Sequence, residues 1–280
     1  MPYTIYPIPI PTPFTLFLLP MDLQLANKVF IVTGGSSGIG AAISKCLAAE
    51  GAIVVIADRK TQQNHEWVDH IVKLGGRASD VTVELTNTQA CKEVIDFTID
   101  KYGRIDGVVN NAGINDGVGI ENGSPEKFVQ SLQLNLVHYY SIVHFALPHL
   151  KDMKGAIVNI SSKTAETGQG NTSGYASAKG GVNGLTREWA AELAPHGIRV
   201  NCVVPSEVWT PLYEWWVSQQ ENPEEKIKSI VSRIPLEKRF TKTEEIADMV
   251  VFLLSPRSGH TTGQLVHVDG GYVHLDRALT

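Results

Sequence analysis

Short apolar runs alternate with longer amphipathic stretches from Lys28 almost to the end of the chain. The runs are rich in β-branched residues and apolar at nearly every position, which is typical of strands buried on both faces of a parallel sheet. We predict seven strands, at residues 29–33, 53–57, 78–85, 107–110, 156–161, 199–204 and 264–268. The stretches between them, such as 41–50 and 88–101, have helical periodicity. The pattern predicts an α/β fold, a doubly wound parallel sheet with helices on both faces.

Two segments depart from this alternation. Residues 1–20 carry no charge and contain six prolines, which disfavours the continuous helix of a secretory signal or a membrane span. We interpret them as a flexible proline-rich extension and residues 21–280 as a single domain. Residues 205–240 hold Trp209, Tyr213 and Trp215 among helix-forming polar residues. This segment predicts a helical excursion over the carboxyl edge of the sheet.

Composition narrows the function classes. The chain has 280 residues, 43% of them hydrophobic, and a formal net charge of −5, so we expect no basic surface for a nucleic-acid partner. Cys46, Cys91 and Cys202 lie far apart without CxxC spacing, which favours free thiols in a reducing cytoplasm over disulfides or a zinc site. The histidines show no spacing typical of metal ligands. We therefore predict no metal and no membrane association.

A glycine-rich turn follows the first predicted strand. Gly34, Gly38 and Gly40 have TGxxxGxG spacing ahead of a predicted helix, which lets the backbone approach a pyrophosphate at the helix N-terminus. Asp58 ends the second strand, eighteen residues after Gly40, where an acid can bind the adenosine ribose. Its charge favours NAD over NADP. The adjacent Arg59 could stack on adenine or bind a 2′-phosphate, so NADP stays possible.

Four polar side chains indicate acid–base chemistry. Tyr175 and Lys179 are one helical turn apart and share a face. An ammonium near a phenol stabilises the phenolate, as would the positive charge of an oxidised nicotinamide. Both draw the pKa of the phenol from ~10 toward neutrality, so that the oxygen can act as a general base. Ser162 follows the fifth strand, where its hydroxyl can hold a substrate oxygen. Asn135 lies in the apolar helical segment 128–147, and either a helix-distorting water site or neighbouring backbone would satisfy its amide.

Five motifs together resemble the short-chain dehydrogenase/reductase superfamily across residues 23–275. They are TGGSSGIG, NNAG at 110–113, ISS at 160–162, YASAK at 175–179 and VDGG at 268–271. The resemblance implies a Rossmann-type fold and an NAD(P)-dependent oxidoreductase with the catalytic tetrad Asn135, Ser162, Tyr175 and Lys179. The cofactor contacts that it implies are Gly34, Ser36, Ser37, Gly38, Ile39, Gly40, Asp58, Arg59, Glu84, Leu85, Asn111, Ala112, Gly113, Tyr175, Lys179, Pro205, Val208 and Thr210.

The chain departs from the family pattern at two positions. Glu84 stands where the family usually has Asp or Asn, which leaves the adenine contact there open. Ser206 stands where the family has Gly after Pro205. The loop after the sixth strand should therefore be less flexible, and it could direct Ser206 or Glu207 toward a substrate.

Residues 161–175, 207–213 and 269–280 are similar to bacterial L-fucose dehydrogenases within this superfamily. This similarity implies oxidation of the anomeric carbon of L-fucose or a related aldose to a lactone. The candidate substrate contacts combine hydrogen-bonding groups with rings that can cover an apolar sugar face; they are Ser162, Gln169, Tyr175, Asn115, Glu207, Trp209 and Trp215. A turn at Asn115, a helix cap at Glu207 and a packing role for the tryptophans are the alternatives.

Two other functions stay open at this point. The same tetrad serves carbonyl reductases of hydroxysteroids or 3-oxoacyl groups, and the fold could also belong to a nucleotide-sensing protein without catalysis. Relatives with this short C-terminal ending commonly form tetramers. We therefore expect a homotetramer, with the apolar tail at 265–275 buried between subunits.

Overall fold

In the computed structural model, residues 21–275 are described, and the predicted extension at 1–20 lies outside them. One parallel seven-stranded sheet runs through these residues in the order β3-β2-β1-β4-β5-β6-β7. Its strands are β1 (Val29–Thr33), β2 (Ile53–Asp58), β3 (Arg77–Thr82), β4 (Gly107–Asn110), β5 (Ala156–Ile160), β6 (Arg199–Pro205) and β7 (Leu265–Val268). The predicted fold class is confirmed.

Helices cover both faces of the sheet. In chain order they are α1 (Gly38–Ala49), α2 (Thr61–Lys73), α3 (Thr88–Tyr102), α4 (Pro125–Leu132), α5 (His138–Met153), α6 (Ser173–Leu193), α7 (Pro211–Ser218), α8 (Pro223–Val231) and α9 (Thr243–Leu254). Along β1, Ile31 packs with α3, α5 and α6, whereas Phe30 and Val32 pack with α1, α2 and α9. Because successive strand residues face opposite cores, the strands are apolar at every position.

Two predicted elements differ from the structure in informative ways. The third strand was predicted over 78–85 but ends at Thr82, because its partner β2 ends at Asp58, the residue paired with Thr82. The predicted helix over 128–147 is divided into α4, a π-helical turn at Gln133–Val137, and α5. The excursion predicted over 205–240 contains α7 and α8.

The strand order reverses between β1 and β4, since β2 and β3 lie on one side of β1 and β4 to β7 on the other. Ligands of open α/β sheets bind at such a reversal, outside the carboxyl ends of the strands. Within residues 21–275, the helices are all too short or too polar to cross a membrane.

Candidate active site

A cleft with a volume of about 430 Å³ opens at this reversal of strand order. Its walls are the loops that follow β1 to β6, the start of α7, the first two turns of α6, and residues of the π-helical turn and the start of α5. These elements bring together residues that lie far apart in the sequence, from Gly34 to Tyr213. The cleft is therefore a product of the parallel sheet, whose carboxyl ends all meet at one edge.

The glycine-rich turn forms one end of the cleft. Gly34 and Gly38 have positive φ angles of 63° and 52°, and a Cβ on Gly40 would lie only 2.0 Å from the carbonyl oxygen of Gly34. Helix α1 starts here, and its N-cap Ser37 makes no side-chain capping hydrogen bond. The uncapped N–H groups and the positive end of the helix dipole fit the pyrophosphate of a dinucleotide.

The carboxylate of Asp58 lines the cleft beside this turn. It accepts hydrogen bonds from the Ser36 hydroxyl at 2.9 Å and from the Arg59 backbone N–H at 2.7 Å. The Arg59 guanidinium lies 3.8 Å from the carboxylate of Glu84. Ser36 is buried behind Asp58 and Gly40 lies behind the turn; neither is part of the cleft lining.

The loop after β4 is fastened to the glycine-rich turn. Asn111 donates from its side-chain amide to the carbonyl oxygens of Thr33 and Gly34, at 2.9 and 3.2 Å. The Thr33 hydroxyl oxygen accepts from the backbone N–H groups of Asn111 and Ala112. These bonds hold the backbone of Ala112 and Gly113 against the cleft, where both residues line it.

Asn135 occupies the middle of the π-helical turn and is completely buried. Its amide donates to the carbonyl oxygen of Ser131 at 3.0 Å and accepts from the backbone N–H of Ile114 at 2.7 Å. The helix is distorted at Asn135, as expected, but backbone groups satisfy the side chain. Asn135 therefore lies behind the cleft and connects the loop after β4 to the helix.

Ser162, Tyr175 and Lys179 all line the same cleft as the glycine-rich turn. Ser162 follows β5, and Tyr175 and Lys179 lie one turn apart on α6. The Lys179 ammonium lies 5.6 Å from the centre of the Tyr175 ring. Burial raises the pKa of Tyr175 to about 12, against a lowering by its hydrogen bond with Ser162. Burial also lowers the pKa of Lys179 to about 8.

Tyr139 is a site residue that sequence reasoning missed. Lys179 donates to the Tyr139 hydroxyl at 3.0 Å and to the Ile160 carbonyl oxygen at 2.7 Å, and Tyr139 also donates to Ile160. Tyr139 is completely buried. A tyrosine in an otherwise apolar helix, where its hydroxyl needs a partner, was the available signal.

His138, the next residue back in the chain, was also missed. It lines the cleft, and burial lowers its pKa to about 4, so its ring is neutral near pH 7. One ring nitrogen contacts the Leu134 carbonyl oxygen at 3.1 Å, and Nδ1 has no hydrogen-bond partner among the described residues. Leu134 and Leu212 also line the cleft without having been predicted, whereas Tyr213, which lines it too, is one of the rings that could cover an apolar sugar face.

Of the residues predicted only as sugar contacts, the structure places just Asn115 on the cleft lining. Gln169 is exposed and Trp215 is 61% exposed, while Trp209 packs against the rings of Tyr213 and Phe240. Glu207 is not on the cleft lining; it pairs with Lys163 and accepts a hydrogen bond from the Tyr213 hydroxyl. In contrast, Leu85, Ile39, Pro205, Val208 and Thr210 line the cleft as predicted cofactor contacts.

The spacing of the histidines along the chain offers no reason to expect a cluster of possible metal ligands, but two histidines and a glutamate lie close together outside the cleft. Ligand atoms of Glu166, His267 and His274 lie within 4.8 Å of one another. These residues come from the loop after β5, from β7 and from the segment after β7, and Glu166 is 101 positions from His267. Sequence spacing could not reveal this cluster because the sheet, not a local motif, brings it together.

Comparison with known proteins identifies the family. A family model described as enoyl-(acyl carrier protein) reductase matches residues 34–273. The chain belongs to the short-chain dehydrogenase/reductase family, and it is accordingly an NAD(P)-dependent oxidoreductase.

Particular relatives carry different names. The chain is 36% identical to the 3-oxoacyl-(acyl carrier protein) reductase of Thermotoga maritima, over 90% of this chain and 100% of that protein. It is 34% identical to the L-fucose dehydrogenase of Mus musculus, over 89% of each chain. The crystal structure of Cj0485 dehydrogenase is similar with a TM-score of 0.90 and 47% identity, over 93% of this chain and 99% of that one.

Proposed function

We propose that the protein oxidises the anomeric carbon of L-fucose or a related aldose to the lactone, with NAD⁺ as the preferred acceptor. The observation that carries the proposal is that Ser162, Tyr175 and Lys179 line one cleft together with a turn that fits a dinucleotide. The sequence similarity at 161–175, 207–213 and 269–280 supports an aldose. So does the mouse relative named L-fucose dehydrogenase.

In this reaction Tyr175 accepts the proton of the C1 hydroxyl as the general base. Ser162, which shares a hydrogen bond with Tyr175, orients the oxygen from which that proton leaves. Lys179 stabilises the resulting phenolate and binds the nicotinamide ribose. Asn135 is a positioning residue, because it holds the π-helical turn to the loop after β4; we propose that this turn keeps a water for proton exit.

Bound NAD⁺ would supply the acceptor for the C1 hydrogen and its electron pair, so that the products would be NADH, lactone and a proton. Gly34, Ser37 and Gly38 would hold its pyrophosphate, and Asp58 would bind its adenosine ribose. Ala112 and Gly113, which line the cleft between these groups and Tyr175, would also contact it. The carboxylate of Asp58 repels a 2′-phosphate, which is the basis for the proposed preference for NAD⁺ over NADP⁺.

Asn115 and Tyr213 are the lining residues that we assign to the sugar. An amide and a phenol can both bond to sugar hydroxyls, and the Tyr213 ring can cover an apolar sugar face. Gln169, Glu207, Trp209 and Trp215, which lie outside the cleft lining, are not part of this assignment.

A carbonyl reductase acting on 3-oxoacyl groups or hydroxysteroids is the second candidate. The Thermotoga maritima relative, matched over its whole length, and the description of the family model both favour it. A nucleotide sensor without catalysis is disfavoured because Asn135, Ser162, Tyr175 and Lys179 are all present.

A substrate panel separates the two reactions. Initial rates are measured for L-fucose and other aldoses with NAD⁺ and NADP⁺, and for 3-oxoacyl thioesters and steroid ketones with NADH and NADPH. We expect kcat/KM for L-fucose or a closely related aldose with NAD⁺ to exceed kcat/KM for every ketone by at least about tenfold. Higher kcat/KM for a ketone would reject the aldose proposal in favour of the reductase.

Tyr175→Phe is the matched variant for the panel. It removes one oxygen atom, so we expect NADH binding to be retained and kcat to fall by roughly 10²–10⁴-fold. Fluorescence titration with NADH verifies that the cofactor still binds. Substantial turnover by a variant that binds NADH would overturn the role of the phenol.

We also propose a cytoplasmic homotetramer. The free thiols of Cys46, Cys91 and Cys202 support a reducing compartment. Tyr140 and Val137 are 54% and 45% exposed at the start of α5, and exposed apolar groups of this kind are typical of subunit contacts.

A further inference from the structure

We infer that Glu166, His267 and His274 form a binding site for a divalent transition-metal ion, with Zn²⁺ the best fit. None of the three lines the cleft, so the site is separate from the proposed oxidation. Two imidazoles and one carboxylate are a ligand set that Zn²⁺ takes readily, with water as the fourth ligand.

The distances are close to those that such an ion needs. Zn–N and Zn–O bonds of about 2.0–2.2 Å place neighbouring ligand atoms of a tetrahedron roughly 3.3–3.5 Å apart. Glu166 Oε2 and His267 Nε2 are 3.0 Å apart, and all three ligand atoms lie within 4.8 Å of one another. The His274 ring stands edge-on to the His267 ring with 4.3 Å between centres. Because Glu166 and His267 are already close to the required separation, a shift of about 1 Å by the exposed His274 side chain would complete the coordination.

Glu166 is oriented by a neighbour that would not itself bind the metal. Asn183 donates from its amide to Oε1 of Glu166 at 3.4 Å, which leaves Oε2 directed at His267. Outer hydrogen bonds of this kind fix ligating carboxylates in metal sites. The side chains of His267 and Glu166 are only 16% and 26% exposed, so their surroundings already restrict their motion.

An ion here would join three separate segments. Glu166 lies in the loop that runs from Ser162 to α6, His267 lies on the edge strand β7, and His274 follows β7. Coordination would tie the loop after β5 and the end of the chain to the edge of the sheet. We therefore expect the ion to stabilise the folded protein.

Thermal unfolding of untagged protein tests the site. With Zn²⁺ at a hundredfold excess over its Kd, we expect Tm to rise by roughly 5–10 °C. Mg²⁺ should give no rise because it prefers oxygen ligands. His267→Ala, His274→Ala and Glu166→Gln should each abolish most of the Zn²⁺ effect, whereas His260→Ala, which removes an exposed histidine outside the cluster, should retain it.

Substitution with Co²⁺ reports coordination directly, independent of stability or turnover. We expect intense visible absorption bands typical of four-coordinate Co²⁺, with a stoichiometry of one ion per chain, and loss of the bands in His267→Ala. If Glu166 and His267 only form a hydrogen bond and bind no metal, neither the bands nor the rise in Tm will be observed. That result, or equal bands in the wild type and the variant, would overturn the proposal.

Discussion

Burial opposes the ionisation of both the proposed general base, Tyr175, and its neighbour Lys179. Burial raises the pKa of Tyr175 to about 12 and lowers that of Lys179 to about 8. The folded protein by itself therefore does not lower the pKa of the phenol, although Lys179 lies beside it. The hydrogen bond with Ser162 lowers the pKa of Tyr175 only partly, so we expect the rest of the stabilisation of the phenolate to come from the positive charge of an oxidised nicotinamide.

The lowered pKa of Lys179 gives stability a pH dependence of known sign. Between about pH 8 and pH 10.5 the unfolded chain holds a proton on this lysine that the folded protein has released. Stability therefore rises with pH in this window, by at most about 3 kcal/mol. In urea unfolding from pH 7.5 to pH 10, we expect the free energy of unfolding of the wild type to rise relative to that of Lys179→Met. Lys151→Met, which replaces an exposed lysine on α5, should show the same pH dependence as the wild type. A constant difference between wild type and Lys179→Met would contradict the burial of a charged ammonium.

The charge of Asp58 makes a prediction about the choice of cofactor. Asp58→Asn keeps an oxygen that can accept from the Ser36 hydroxyl but removes the charge that repels a 2′-phosphate. The Arg59 guanidinium would then be the nearest charge to that phosphate. We expect the ratio of kcat/KM for NAD⁺ over NADP⁺ to fall by roughly tenfold or more. Asp69→Ala, an exposed acid on α2, should leave the ratio unchanged; an unchanged ratio in Asp58→Asn would reject the ribose contact.

At the scale of elements, the sequence predicts most of what periodicity controls. Strands such as β1 and β4 are found at the predicted bounds. Their residues are apolar on both faces, so they are stable only in the interior of a sheet that is covered on both sides. The π-helical turn around Asn135 was anticipated only as a distortion, since a buried amide signals a conflict but not its geometry. The ion pair of Glu207 with Lys163 was not predicted. The sequence does not distinguish a carboxylate that binds a sugar from one that pairs with a lysine far away in the chain.

The ion pair of Glu207 with Lys163 fixes the position of α7. Both side chains are nearly buried, at 12% and 9% exposed, and Tyr213 on α7 donates to the same carboxylate at 2.7 Å. Glu207→Gln would leave the Lys163 charge buried without a counter-charge, at a cost of about 2 kcal/mol, or roughly 5 °C in Tm. Since Tyr213 lines the cleft, KM for the sugar should rise more than kcat falls.

The double variant Lys163→Met/Glu207→Gln is the control for this prediction. It removes both members of the pair, so we expect part of the lost Tm to return. If the double variant is no more stable than Glu207→Gln, the ion pair is not the cause of the loss. Thermal unfolding of the four proteins in the cycle gives the coupling between the two residues.

At the scale of the whole molecule, the sequence identifies residues with local motifs better than it identifies which distant residues the fold brings together. The glycine-rich turn, Ser162 and Tyr175 are recognisable because their spacing follows from one strand, one turn or one helix face. His138 and Leu212 line the same cleft, yet nothing local marks them. The cluster of Glu166, His267 and His274 was not anticipated for the same reason, since it exists only after β5 and β7 are placed in one sheet.

The outer face of α5 and α6 makes the last prediction, which concerns assembly. Tyr140 is 54% exposed; its ring stacks on His144 at 5.7 Å and lies 6.5 Å from Trp189. A shallow groove between the two helices lies beside it, lined in part by Val143 and Leu147. An exposed aromatic side chain beside such a groove can pair with the same surface of a second copy across a two-fold axis.

Tyr140→Glu places a charge at the centre of that surface. We expect light scattering after size-exclusion chromatography to give a tetramer for wild type and a dimer for this variant, because one of two interfaces is lost. Val72→Glu, which alters an apolar side chain on α2 that is 53% exposed, should remain a tetramer. A wild-type monomer, or a variant with the wild-type mass, would exclude this face of α5 as a subunit contact, and Tyr140 would then be a surface residue held only by its contacts with His144 and Trp189.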